Sequence, residues 1–149
     1  MAEEKTRSTI LIVDDEPINV QLIWRLLEED YDVLVATNGP DAIDITREKK
    51  PALVLLDVVM PDMIGFDVCE QLQADAATKD VPVIFLTSLD DPQDKVIGFA
   101  VGGVDYITKP FFKEEVLARV RTHLTLHALR SELKVCQERL KDLDENAGK

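Results

Sequence analysis

Hydrophobic positions gather into five short apolar runs: Ile10 to Val13, Asp32 to Ala36, Ala52 to Asp57, Val81 to Thr87 and Val104 to Thr108. All are rich in Val, Ile and Leu, and the central ones are almost continuously hydrophobic. That pattern marks strands buried on both faces of a parallel sheet, not a sheet with one wet face. Measured at Val13, Val35, Asp57, Thr87 and Ile107, the runs are spaced by 22, 22, 30 and 20 residues. Each gap accommodates a crossover helix, so the predicted order is βαβαβαβαβα, an α/β fold.

The polar-interrupted stretches between the runs read as helices. Pro17 to Glu29 puts Ile18, Leu22, Ile23, Leu26 and Leu27 on one face, with Pro17 suited to a first turn and Trp24 expected to pack. Asn38-Gly39-Pro40 predicts a turn launching a helix over Asp41 to Lys49. Two more helices are predicted over Gly65 to Ala74 and Pro92 to Val101, the latter ended by Gly102-Gly103.

The last helix is too long for its task. Phe112 to Leu143 holds neither Gly nor Pro, which predicts 32 residues, about 48 Å at the usual rise. A packed α/β domain needs about a third of that. Its second half carries Leu126, Leu129, Leu133, Cys136, Leu140 and Leu143 at spacings 3, 4, 3, 4, 3. This is a heptad seam, with Arg139 at g able to attract Asp144 at the following e of a parallel partner. The alternative is a solvated helix whose leucines merely repeat, since the seam is shorter than three to four heptads. The expected organisation is a tail at 1–8, a compact domain at 9–125 and a helical extension at 126–149 that pairs two copies as a coiled coil.

Composition narrows the function classes. The chain of 149 residues has 46% hydrophobic and 31% charged residues, which excludes general disorder. Acids number 29 against 17 bases, for a net charge of −12. Residues 1–112 hold 22 acids and 9 bases, whereas 113–149 hold 7 and 8, so the acidity belongs to the compact part. Such an excess repels polyphosphate backbones and argues against direct nucleic-acid binding. Cys69 and Cys136 are the only cysteines, far apart, which suits a reducing compartment rather than a disulfide framework. No run approaches the roughly 18 apolar residues of a spanning helix, and no signal-type segment follows the charged N-terminus. The expectation is a soluble, cytoplasmic chain without membrane contact.

Ligands of open parallel sheets sit beyond the carboxyl ends of the strands. There the first run delivers Asp14-Asp15 and then Glu16, the third Asp57, the fourth Thr87-Ser88 and the fifth Thr108-Lys109-Pro110. Clustered carboxylates repel one another, so they either raise a pKa or hold a cation, and hard oxygen donors favour Mg²⁺ over zinc. Three carboxylates, Mg²⁺ and Lys109 sum to zero charge. A phosphoryl group on Asp57 would find its oxygens neutralised by the metal and the ammonium, with Thr87 as a hydrogen-bond donor. Any one of these aspartates alone reads more simply as a strand-end turn former.

The stretches Leu11-Ile12-Val13-Asp14-Asp15-Glu16, Leu55-Leu56-Asp57-Val58-Val59-Met60-Pro61, Phe85-Leu86-Thr87 and Asp105-Tyr106-Ile107-Thr108-Lys109-Pro110-Phe111 carry a resemblance. As a spaced set over residues 9 to about 125, they resemble the response-regulator receiver domain of two-component signalling. The resemblance implies a flavodoxin-like three-layer sandwich with parallel sheet order 2-1-3-4-5. It implies that Asp57 is the nucleophile that takes phosphate from a phosphohistidine. Asp15 would bind Mg²⁺ directly, Asp14 through water, and the backbone carbonyl of Val59 would complete the protein ligands. Lys109 would pair with the phosphoryl oxygens, in a Lys109-Pro110 peptide similar to the family's cis bond. Thr87 and Tyr106 would be the switch pair, changing the face of the fourth helix, fifth strand and fifth helix. The chain departs from the family pattern at Ile64, at Val104 and at Val59, whose side chain offers nothing to position a hydrolytic water.

The expected function is therefore a response-regulator receiver partnered by a sensor histidine kinase or phosphotransfer protein. It is not an enzyme acting on an external metabolite. The alternative is the input module of a larger enzyme, such as a cyclic-dinucleotide synthase or hydrolase. A flavodoxin-like mononucleotide binder is a further alternative, though no G-x-G-x-x-G or P-loop pattern is present. His123 and His127, four apart on one helix, could pair on a metal but read more simply as surface or seam-adjacent residues.

Overall fold

The computed structural model describes residues 7–88 and 92–147. Five strands, β1 (Thr9–Val13), β2 (Asp32–Ala36), β3 (Leu53–Asp57), β4 (Val83–Thr87) and β5 (Asp105–Thr108), alternate with five helices. These are α1 (Pro17–Leu27), α2 (Gly39–Lys49), α3 (Gly65–Ala74), α4 (Pro92–Ala100) and α5 (Lys113–Ala147). All neighbouring strands are parallel, in the order β2-β1-β3-β4-β5. This is the flavodoxin-like (βα)5 sandwich that the motifs imply.

Strand periodicity divides the core in two. Leu11, Val13, Val54, Leu56, Val83 and Phe85 join Ala42 of α2 and Val68 and Leu72 of α3 on one face. Ile10, Ile12, Leu53, Leu55, Ile84, Leu86 and Ile107 join Ile23 and Leu27 of α1 and Val116 and Val120 of α5 on the other. β1, β3 and β4 are buried nearly throughout, as their unbroken hydrophobicity requires. β2 differs: it is an edge strand, and Val35 is exposed.

Several boundaries move for local reasons. β4 starts after Pro82, which has no N–H to give the ladder, while the Val81 amide is used in a turn with the Thr78 carbonyl. α2 begins at Gly39 because Asn38 is its N-cap, its Oδ1 accepting from the Asp41 amide at 2.9 Å. The apolar stripe of α1 splits: Ile23 and Leu27 are buried, whereas Ile18, Leu22 and Trp24 are exposed. Gly102, at φ 109, follows α4 as its terminator.

α5 runs 35 residues, about 52 Å. Val116 and Val120 pack on the sheet, with Leu117 and Leu124 beside them. From Ala128 to Glu145 every residue is exposed. Leu126, Leu129, Leu133, Leu140 and Leu143 are 40–63% exposed. Helix continues unbroken through residue 126, and the last half-buried residue of its described part is His127. Among the described residues, no helix is long and apolar enough to cross a membrane.

Candidate functional site

Parallel strands in this order bring the carboxyl ends of β1, β3, β4 and β5 side by side. Asp14 follows β1, Asp57 ends β3, Thr87 ends β4, and Lys109 follows β5. Asp57 lies beside Leu86, and Thr87 beside Thr108. The Lys109 amide donates to the Thr87 carbonyl at 2.9 Å, extending the ladder past β5 and carrying the ammonium back over β3. The Lys109-Pro110 peptide is cis.

The carboxylates meet there. One ligand atom from each of Asp14, Asp15 and Asp57 falls within 4.8 Å of the others. Asp14 is wholly buried and Asp57 nearly so. Asp14 Oδ1 accepts from the Glu16 amide at 2.9 Å, while its buried Oδ2 has no hydrogen-bond partner. Lys109 Nζ lies 3.7 Å from that oxygen and 3.3 Å from Asp57 Oδ2. Asp57 Oδ1 accepts from the Val59 amide at 3.2 Å.

Burial, then the neighbouring Asp14 charge, pushes the Asp57 carboxyl up to about 6, although Lys109 and the Val59 amide pull the other way. A single ammonium therefore does not neutralise the cluster. An orphaned buried carboxylate oxygen among three converging acids is the donor set of a hard divalent cation. The residues fit Mg²⁺.

A cleft of about 400 Å³ opens over Asp57, lined also by Asp15, Glu16, Val59, Thr87 and Lys109. The Val59 side chain is 60% exposed at its rim. One residue that sequence reading passed over shapes the floor. A Cβ at Gly65 would stand 2.3 Å from the Asp57 carbonyl oxygen, so only glycine lets α3 begin against the end of β3. Its signal was a lone glycine at a predicted helix start.

The remaining expected site residue, Tyr106, is not in the cleft. It is buried to 7% exposure beside Phe85. His123, which reads from the sequence as a surface or seam-adjacent residue, puts its Nε2 2.9 Å from Asp105 Oδ2. Arg119 Nη1 donates to both Asp105 oxygens at 2.7 and 2.8 Å. Burial raises the Asp105 carboxyl, but hydrogen bonds from His123, the Tyr106 amide and Arg119 outweigh it and leave it below the usual range. This link needed the fold: residues 14 and 18 positions apart share no sequence motif. Cys69 is buried and its thiol is pushed up to about 12, which makes it inert.

Comparison with known proteins agrees with this geometry. The family description "Response regulator receiver domain" matches residues 10–121. A Vibrio cholerae serotype O1 protein named "Probable cyclic di-GMP phosphodiesterase" is 41% identical over 122 residues, covering 82% of this chain and 28% of that protein. The chain thus spans less than a third of that relative's length. Among solved structures, chemotaxis protein CheY4 of Vibrio cholerae superposes with TM-score 0.75 at 28% identity, covering 78% of this chain and 98% of CheY4. The receiver domain of a Pseudomonas aeruginosa sensor histidine kinase gives TM-score 0.75 at 25% identity, covering 80% and 99%. That structure has a magnesium ion coordinated in its active-site cleft.

Proposed function

Because the chain belongs to the response regulator receiver domain family, we propose that it accepts a phosphoryl group on Asp57 from the phosphohistidine of a sensor histidine kinase or phosphotransfer protein. The observation that carries this reading is the meeting of Asp57 with Lys109 on one side and with Asp14 and Asp15 on the other, under an open cleft. Asp14, Asp15, Asp57 and the Val59 carbonyl would hold Mg²⁺, which supplies positive charge to the phosphoryl oxygens when bound.

An Asp57 oxygen attacks phosphorus as the P–N bond to histidine breaks. The imidazole nitrogen keeps the bonding pair and takes a proton from water. Charge develops on the equatorial phosphoryl oxygens, where Lys109 stands ready and Thr87 offers a hydroxyl. Raised to about 6, the Asp57 carboxyl is still ionised at neutral pH and able to attack. The acyl phosphate then shifts an existing equilibrium toward the state that binds it better, with Thr87 and Tyr106 as the two-position pair. The chemistry is acceptance at the chain's own side chain, not turnover of an external metabolite.

The output is self-association through the exposed seam of α5, whose Leu126, Leu129, Leu133, Leu140 and Leu143 stay 40–63% exposed among the described residues. Association of two copies buries these leucines. A second reading is favoured by the relative from Vibrio cholerae: in a longer protein the same module would regulate a cyclic-dinucleotide enzyme through α5. Neither output alters the chemistry at Asp57, and both suit a cytoplasmic protein.

Incubation with acetyl phosphate and Mg²⁺ tests the reading by intact-protein mass spectrometry. The wild type gains one phosphoryl group and Asp57→Asn gains none. Equal modification of both would refute it.

A further inference from the structure

Tyr106 is held at both ends. Its amide donates to Asp105 Oδ1 at 2.8 Å, and Asp105 is itself gripped by Arg119 and His123 of α5. Its hydroxyl donates to the Asp94 carbonyl of α4 at 2.8 Å, with the Lys95 carbonyl at 3.2 Å. The ring packs on Phe85 and on Phe99, each centroid 5.4 Å away. It therefore ties α4 to β5 and, through Asp105, to α5.

Gly98 sits under the phenol. A Cβ built there would stand 1.6 Å from the Tyr106 hydroxyl oxygen, 2.6 Å from Cζ and 3.2 Å from Phe66 Cε1. The phenol is the far end of a side chain, so it is the ring that must yield. The ring already meets Phe85 and Phe99, and its amide is anchored to Asp105. Rotation about χ1, out of the buried position, relieves the overlap. Glycine is otherwise a poor residue inside a helix, and nothing about its backbone requires it there: φ at 98 is not among the positive values.

We propose that Gly98 is a positioning residue for Tyr106: its missing side chain is the socket that admits the phenol to its inward position, and any larger residue turns the ring outward and uncouples α4 from α5. The mechanical half of this proposal stands on the packing alone. Its functional half rests on the phospho-acceptor reading. If inward Tyr106 favours the phosphorylated state, phosphorylation favours the inward ring equally, so loss of the socket lowers phosphoryl occupancy.

The test compares wild type, Gly98→Ala, Tyr106→Ala and the double variant in the full chain. Thermal melts read the packing. Gly98→Ala lowers Tm when Tyr106 is present and raises it when Tyr106 is Ala, because the severe overlap with the phenol is then gone and Phe66 Cε1, 3.2 Å from the new Cβ, has the vacated space to shift into while the helix preference for alanine remains. Should Gly98→Ala fail to fold, recovery of folding in the double variant carries the same meaning. The same Tm change in both backgrounds, or failure of both to fold, overturns the proposal. In protein labelled with 3-fluorotyrosine, Tyr31→Phe assigns the ¹⁹F resonance of Tyr106. Gly98→Ala moves it toward the shift of exposed tyrosine, and an unmoved resonance is also contrary. The third arm measures steady phosphoryl occupancy with acetyl phosphate and Mg²⁺. Gly98→Ala falls several-fold below wild type; equal occupancy refutes the functional half. A wild type that gains no phosphoryl group refutes the phospho-acceptor reading, while the melts and ¹⁹F spectra still decide the socket.

Discussion

Lys109 Nζ lies 3.3 Å from Asp57 Oδ2, the one cation in a pocket of three aspartates among the described residues. Its reach depends on where β5 ends, since the Lys109 amide is fixed to the Thr87 carbonyl. Replacing it with methionine keeps the stem and deletes the charge that meets the transferring phosphoryl group. Lys109→Met is expected to slow phosphorylation by acetyl phosphate on the order of 10²-fold, measured by intact mass against time at saturating Mg²⁺. A rate within twofold of wild type would remove Lys109 from the chemistry.

Asp57 destabilises the fold when it ionises, the reverse of most native carboxylates. Its carboxyl is raised to about 6 in the folded protein, chiefly by burial and then by Asp14. Folded protein thus holds this proton more tightly than unfolded chain, so the group costs stability as pH rises from about 4 to about 6 and stays costly above that. Asp57→Asn removes the charge. In Mg²⁺-free buffer it is expected to stabilise by about 1–3 kcal/mol at pH 7.5 and by almost nothing at pH 4. Urea melts at the two values read this difference, and a variant less stable than wild type at pH 7.5 contradicts it.

Metal addition reverses that strain. With Asp14 Oδ2 buried and accepting no hydrogen bond, Mg²⁺ at 100 times its Kd is expected to add about 3 kcal/mol of stability. The increment shrinks below pH 6, where Asp57 carries a proton. Asp15→Asn should abolish most of it. Melts with Mg²⁺ and after chelation check both statements; a gain of equal size in the variant would exclude Asp15 as a ligand.

How far this site could be seen in the chain itself depended on spacing. Asp14, Asp57, Thr87 and Lys109 each follow or end an apolar run, and a parallel sheet places such ends on one edge. Asp105 with Arg119 and His123, and Gly98 beneath Tyr106, were not legible, because each depends on how α4 and α5 rest on the sheet. The stripe on α1 misled for a similar reason: Ile18 and Leu22 obey helical periodicity, yet the sheet reaches only Ile23, Leu27 and their neighbours. β2 stands at the edge, as the order 2-1-3-4-5 implies, and that place leaves Val35 wet although its run is as apolar as its neighbours.

The seam on α5 has its own check. Leu133→Glu together with Leu140→Glu puts charge at two exposed a positions. The pair should convert a dimer to a monomer by light scattering. Stability of the receiver fold should change by less than about 0.5 kcal/mol per site, since both side chains are more than half exposed. An unchanged mass would show that copies do not meet through these leucines.

Which side chain carries the phosphoryl group can be read chemically. Protein treated with acetyl phosphate and Mg²⁺, then reduced with borohydride, converts an aspartyl phosphate to homoserine at the modified position, which peptide mass spectrometry locates. Homoserine at residue 57 and at no other aspartate is the predicted result. Homoserine elsewhere, or phosphate recovered on His123 or a hydroxyl side chain with Asp57 intact, would contradict it.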